Sequence, residues 1–133
     1  MFESSYQYFP VRASTVLTNA AVAGTVLGLS PTQLTTNNQL IIYADFTIGS
    51  LTNVILTVEF SPDNTNWYAE TYPDTAVATG VTTERIKTHV IAATGLKRLT
   101  PIVICDRYIR ISATGTGTVT SSLLKVDAVI GNI

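Results

Sequence analysis

His89 and Cys105 are the chain's single imidazole and single thiol, the residue types from which a nucleophile and its base are made. Nothing in their spacing joins them. His89 alternates with Arg85 and Lys87 in a strand-like run, which makes it a solvent-facing residue. Cys105 closes the apolar run Ile102-Val103-Ile104-Cys105 and reads as a small buried hydrophobe, with no second cysteine for an intrachain disulfide. Asp63-Asn64-Thr65-Asn66 offers oxygen donors, but Thr65 and Trp67 stand where a calcium loop needs other residues, so the stretch reads as a plain turn. Gly115 and Gly117 belong to a Thr-rich hairpin and not to a phosphate cradle. The expectation is a non-enzyme with no catalytic residue, no metal, no cofactor and no small-molecule substrate. Tyr68 and Tyr72 remain as candidates for ligand chemistry. On one strand face they can stack on a glycan, with cross-strand packing or an interface contact as the alternative use.

Strands must hold all of these residues, because the apolar period from Gln39 onward is two. Leu40, Ile42, Ala44, Phe46 and Ile48 make one face against Ile41, Tyr43, Asp45 and Thr47. Val54, Leu56, Val58 and Phe60 repeat the pattern, and Gly49-Ser50 reads as the hairpin between the two runs. Pro62, Asp63, Asn64 and Asn66 then mark a tight turn. Trp67, just past it with Ala69 and Thr71 on the inward side, is expected to be the keystone of the core. Ile86, Thr88 and Val90 are read as inward, as are Ile109, Ile111 and Ala113. The last run changes phase, from Val119, Ser121 and Leu123 to Leu124, Val126, Ala128 and Ile130, which predicts a bulge near Leu123-Leu124. No helical period of useful length appears. The fold class is all-β: an antiparallel β-sandwich, jelly-roll or Ig-like, of seven to nine strands over residues 39–133.

Residues 1–38 differ. The first ten carry Phe2, Tyr6, Tyr8 and Phe9, and Ala13 to Ala44 contains no charge. This is read as an extended N-terminal arm with a short strand near Gly24-Leu29, lying on its own domain or on a neighbour.

Composition adds boundary conditions. The 133 residues suit one core without staples, and 22 Thr, 13 Val and 12 Ile favour pleated strands. Only 13% of residues are charged, so much of the surface is Thr, Ser, Asn and aliphatic, the kind a neighbour covers. The formal net charge of −1 gives no general attraction to nucleic acid or anionic lipid. No secretion signal opens the sequence and no apolar run is long enough to span a membrane. Charge is nevertheless segregated. Glu59, Asp63, Glu70, Asp74 and Glu84 precede Arg85, Lys87, Lys97, Arg98, Arg107 and Arg110, with Asp106 alone among the bases. The blocks either set register between copies of the chain or face each other inside one sandwich. The intersubunit reading is slightly preferred, with Phe2, Tyr6, Tyr8, Phe9, Arg85, Lys87, Lys97 and Arg98 as interface candidates.

Ile55-Leu56-Thr57-Val58-Glu59-Phe60-Ser61-Pro62-Asp63, followed by Asn66-Trp67-Tyr68, Asp106-Arg107-Tyr108-Ile109-Arg110-Ile111 and Thr114-Gly115-Thr116-Gly117-Thr118-Val119, resembles small β-sandwich proteins of tailed-phage virions. In those proteins a strand, a Ser-x-Asp turn leading to Trp, an Arg-Tyr-x-Arg strand and a Gly/Thr hairpin recur in this order. The likeness runs from about Asn53 to Ile130, and Pro62-Asp63-Asn64 stands where a Gly often completes the turn. It implies a virion structural protein, either a capsid decoration or cement protein or a minor head or tail component. Its partner would be the major capsid or another virion protein, it would form a homo-oligomer such as a trimer, and it would assemble in the host cytoplasm. Two other classes stand beside it: a glycan-binding module of a tail or receptor-binding protein, and a self-assembling filament or surface-layer subunit.

Overall fold

A computed structural model describes residues 6–36 and 38–131 of the chain. In order, the elements are β1 (Gln7–Val16), β2 (Val22–Ala23), β3 (Leu27–Gly28), α1 (Pro31–Thr36), β4 (Gln39–Thr47), β5 (Leu51–Ser61), β6 (Tyr68–Ala69), β7 (Thr71–Thr75), β8 (Thr82–Ile86), β9 (His89–Ile91), β10 (Gly95–Arg98), β11 (Ile102–Val103), β12 (Tyr108–Gly117) and β13 (Leu123–Gly131). A five-stranded sheet has the order β1-β13-β4-β10, with β11 also on β4. A six-stranded sheet has the order β2-β12-β5-β6, with β3 also on β12 and β9 also on β5. All these pairings are antiparallel. No helix among the described residues is long and apolar enough to cross a membrane.

The period-two faces meet between the sheets. Leu40, Ile42, Ala44 and Phe46 of β4 and Leu124, Val126, Ala128 and Ile130 of β13 pack against Val54, Leu56, Val58 and Phe60 of β5 and Ile109, Ile111 and Ala113 of β12, all of them buried. This is an antiparallel β-sandwich, as the alternation requires. The thirteen strands exceed the seven to nine expected because the edges are broken. Strands β6 and β9 pair with Glu59–Phe60 and Val54–Leu56 of the same strand β5, and β10 and β11 share β4 in the same way.

Several local readings are corrected. Gly49-Ser50 does not close a hairpin, since β4 and β5 lie in different sheets. Gly49 adopts φ 56° and lies against the Thr120 carbonyl, while Ser50 N–H donates to that same oxygen at 3.1 Å. The turn therefore carries the chain over the end of the sandwich. Strand β13 holds unbroken register with β4 from Leu123↔Thr47 to Gly131↔Gln39, so no bulge sits at Leu123-Leu124. The phase changes because Val119 and Ser121 belong to the preceding turn, where Ser121 has φ 57°. The irregular register lies on β1, on either side of Arg12, whose guanidinium donates to the Leu124 carbonyl at 3.1 Å and the Val16 carbonyl at 2.9 Å. Gly115 and Gly117 lie within β12 and not in its following turn, with the register shift at Thr116/Gly117.

The N-terminal segment is no separate arm over residues 7–29. Strand β1 pairs with β13 from Gln7↔Ile130 to Val16↔Leu123, and β2 and β3 pair with β12. Val11, Leu17, Leu27 and Leu29 are buried in the common core. Pro10 is tolerated because β1 is an edge. Helix α1, with no amphipathic period to announce it, is set by a capping box: Gln33 N–H donates to Ser30 Oγ at 3.2 Å and Ser30 N–H to Gln33 Oε1 at 2.7 Å, with Pro31 in the first helical position.

Candidate functional site

The outer face of the five-stranded sheet gathers polar and aromatic side chains from four strands. Ile41, Tyr43 and Asp45 on β4 stand opposite Val129, Asp127 and Lys125 on β13. On β10, Leu96 pairs with Asp45 and Arg98 with Tyr43. Tyr8 of β1 pairs with Val129, and the Tyr6 ring lies directly on Gly131, where a Cβ would collide with it. Two adjoining clefts result. One, of about 310 Å³, is lined by Tyr43, Asp45, Leu96, Lys97, Lys125 and Asp127. The other, of about 490 Å³, is lined by Tyr6, Ile41, Tyr43, Arg98, Pro101 and Val129, and Arg98 borders both.

Electrostatically the face is mixed. Lys125 Nζ lies 3.6 Å from Asp127 Oδ2, whereas Asp127 Oδ1 is buried without a hydrogen-bond partner among the described residues. The neighbouring Asp127 carboxylate favours the protonated phenol of Tyr8 and, with partial desolvation, pushes it above its ordinary value. Lys97 and Arg98 make no ion pair among the described residues.

Four of the sequence-derived candidates, Tyr6, Tyr8, Lys97 and Arg98, thus come together on or beside this face. Phe9 points the other way and packs against the core, and Phe2 lies outside the described residues. Arg85 and Lys87 are elsewhere, on or next to the β7–β8 hairpin. Arg85 Nε is 2.5 Å from Asp74 Oδ2 and Lys87 Nζ is 3.9 Å from Glu70 Oε2. Arg110 binds Glu59 in a fork, Nε to Oε1 at 2.9 Å and Nη2 to Oε2 at 3.2 Å. Members of the acidic and basic blocks therefore meet within one chain, the within-sandwich alternative, at Arg85, Lys87 and Arg110. Tyr68 and Tyr72 are exposed but sit on different strands, β6 and β7, and neither lines the two clefts.

The residues first considered for chemistry are accounted for differently. Trp67 is half-buried and not a core keystone, since it precedes a strand of only two residues. Its ring carries the Arg110 guanidinium 4.4 Å from the centroid. His89 is not solvent-facing: Nε2 lies 2.9 Å from Glu70 Oε1, and both side chains are largely covered. Its neighbour Ile91 is buried, while Ile86, Thr88 and Val90 are exposed, the reverse of the expected phase. Cys105 is exposed and not a buried hydrophobe. Its thiol is pushed above the ordinary value, first by partial desolvation and then by Asp106 and Glu70, the opposite of what activates a nucleophile. Asp63 Oδ1 accepts from Ser61 Oγ at 3.0 Å and from Thr65 and Asn66 N–H at 2.9 and 2.8 Å, and Oδ2 accepts from Asn66 Nδ2 at 2.8 Å. These bonds hold the carboxyl well below the usual carboxylate range and commit its oxygens to the turn.

Sequence reasoning missed Tyr43, Asp45, Lys125 and Asp127 as a group. Their outward phase was readable, but their adjacency follows from β13 lying between β1 and β4, which no local pattern states.

The two sheets define the class: an all-β antiparallel sandwich whose chain passes repeatedly from one sheet to the other. The same fold is found in the crystal structure of PBSX exported protein XepA, with a TM-score of 0.63 and 13% sequence identity over 96% of this chain and 37% of that one. The chain therefore spans little more than a third of the protein it matches. No protein-family model matches the sequence, and no curated protein matches it.

Proposed function

We propose that this chain is a non-enzymatic structural protein of a phage virion, a capsid decoration or cement subunit or a minor head protein, and that the outer face of the five-stranded sheet is its docking face. The observation that carries the reading is a fold shared along nearly the whole chain with an exported protein of the phage element PBSX, in agreement with the turn, strand and hairpin motifs of the sequence. The face itself supports docking over catalysis. It offers Tyr6, Tyr8 and Tyr43 beside Lys97 and Arg98, which form no ion pair among the described residues, and rigid aromatics beside arginine are what recognition surfaces are enriched in. Contacts of this size are weak singly and become effective when many copies are held in an array.

The experiment is co-sedimentation of the pure chain with capsid shells of the phage that encodes it. Saturable, stoichiometric binding that falls on Arg98→Glu supports the reading, and no binding to shells or to other virion parts overturns it. A glycan-binding role is the second reading. The clustered tyrosines beside the Asp127 carboxylate favour it, at this face and not at Tyr68 and Tyr72. Binding on a glycan array that is lost on Tyr43→Ala is its signature.

A further inference from the structure

Every residue from 71 to 88 is exposed, and this stretch is an ordered hairpin. It leaves the sandwich where the edge strand facing β5 is interrupted, between β6 and β9, and forms its own two-stranded sheet, β7 with β8. Five residue pairs give it a reach of about 16 Å beyond the sheet edge. It is bonded internally: Arg85 pairs with Asp74, the Thr75 and Thr82 hydroxyls share a bond of 2.8 Å, and Ala76 N–H donates to the Val81 carbonyl at 2.9 Å. The tip, Ala76-Val77-Ala78-Thr79-Gly80-Val81, carries no charge. Val77 is 102% exposed and Val81 59%. A projecting knob that ends in two uncovered valines is an unfinished packing surface.

The complementary surface is on the same molecule. The open cleft of about 490 Å³ lined by Tyr6, Ile41, Tyr43, Arg98, Pro101 and Val129 has aromatic and aliphatic walls with one arginine at its rim, and it is larger than two valine side chains. The charges match as well. Glu84 lies three residues beyond Val81, about 10 Å from the tip, and makes no ion pair among the described residues. Arg98, at the rim of the cleft, is unpaired in the same sense. The tip is solvent-exposed in its own chain, so its own cleft does not receive it.

We propose that the β7–β8 hairpin of one copy inserts Val77 and Val81 into the cleft bounded by Tyr6, Tyr43 and Arg98 of a second copy, with Glu84 meeting Arg98. The proposal rests on the reading of this sheet face as a docking face and not on the virion assignment. Such a contact is heterologous. Each copy uses its knob on one neighbour and its cleft on another, so the assembly closes into a ring or grows as a filament.

Sedimentation velocity on the pure full-length chain tests it. The wild type is expected to form species above the monomer. Val77→Asp and Arg98→Glu should each raise the apparent Kd on the order of a hundredfold, with unchanged far-UV CD and melting temperature. Mixing the two variants is decisive. The first keeps an intact cleft and the second an intact knob, so together they should form a one-to-one dimer that grows no further. Glu84→Arg combined with Arg98→Glu should restore the larger assembly. A wild type that stays monomeric at its highest soluble concentration overturns the proposal. So does a variant mixture that remains monomeric, or assembly that survives both substitutions. A monomeric chain that still binds shells would sink this contact and leave the proposed function standing.

Discussion

Asp63 shows how one side chain can organise a turn without doing chemistry. Its two oxygens take four short-range hydrogen bonds, which favour the ionised form and depress the folded-state pKa. A depressed carboxyl contributes stability that is present above the unfolded value near about 4 and is lost as pH falls through the folded value. Asp63→Asn should therefore lower the melting temperature at neutral pH, and the gap from wild type should narrow as pH is lowered below about 4. A gap independent of pH would mean that shape and not charge holds the turn. The turn was legible in the sequence because Ser, Pro, Asp and Asn act locally. Trp67 was not, because its alternation presumed a strand that is two residues long, while its partner Arg110 is distant in the chain and had been grouped with the basic block. Removing that partner by Arg110→Ala breaks both the ring contact and the fork to Glu59, at a cost of about 1–2 kcal/mol. Trp fluorescence should move to longer wavelength in the folded state, and an unchanged spectrum would remove the stacking role.

The elements separate into those whose partners flank them symmetrically and those at edges. The core faces of strands β4, β5, β12 and β13 were readable, since a strand with one face in the core must alternate, although the end of β12 and the start of β13 were not. Their connections were not readable. Gly49-Ser50 has the composition of a hairpin turn, yet it crosses between sheets because Gly49 reaches φ 56° against the Thr120 carbonyl. Gly49→Ala should cost more than about 1 kcal/mol, from the left-handed backbone alone, and a denaturant midpoint equal to wild type would contradict that geometry. Strand β1 was hidden by its uncharged, Thr-rich continuation, although Phe9 and Val11 carried the correct period. Because it covers β13 and contributes Val11 and Leu17 to the core, deletion of residues 1–38 is expected to abolish the cooperative β signal in far-UV CD. A truncated chain that keeps its native spectrum would return the segment to the role of a detachable arm.

At the scale of the whole molecule, charge is divided between pairs that close within the chain and cations left open. Arg85, Lys87 and Arg110 find Asp74, Glu70 and Glu59, so the two blocks seen in the sequence meet largely across one sandwich edge and its hairpin. Lys97 and Arg98 lie outside that pattern, beside the aromatic clefts. The sequence displayed the blocks but could not sort them, because which acid each base meets depends on strands that pair far apart in the chain. The two sets should respond oppositely to reversal. Arg85→Glu with Lys87→Glu should lower thermal stability slightly, by the small amount that exposed pairs contribute, and leave assembly intact. Lys97→Glu with Arg98→Glu should leave the melting temperature unchanged and weaken assembly, the more so at low salt, where a cationic rim attracts an acidic partner across a longer screening distance. Melting curves and sedimentation at two ionic strengths read both effects. If reversal at Lys97 and Arg98 destabilises the fold while assembly persists, those cations serve the sandwich itself and the docking face lies elsewhere.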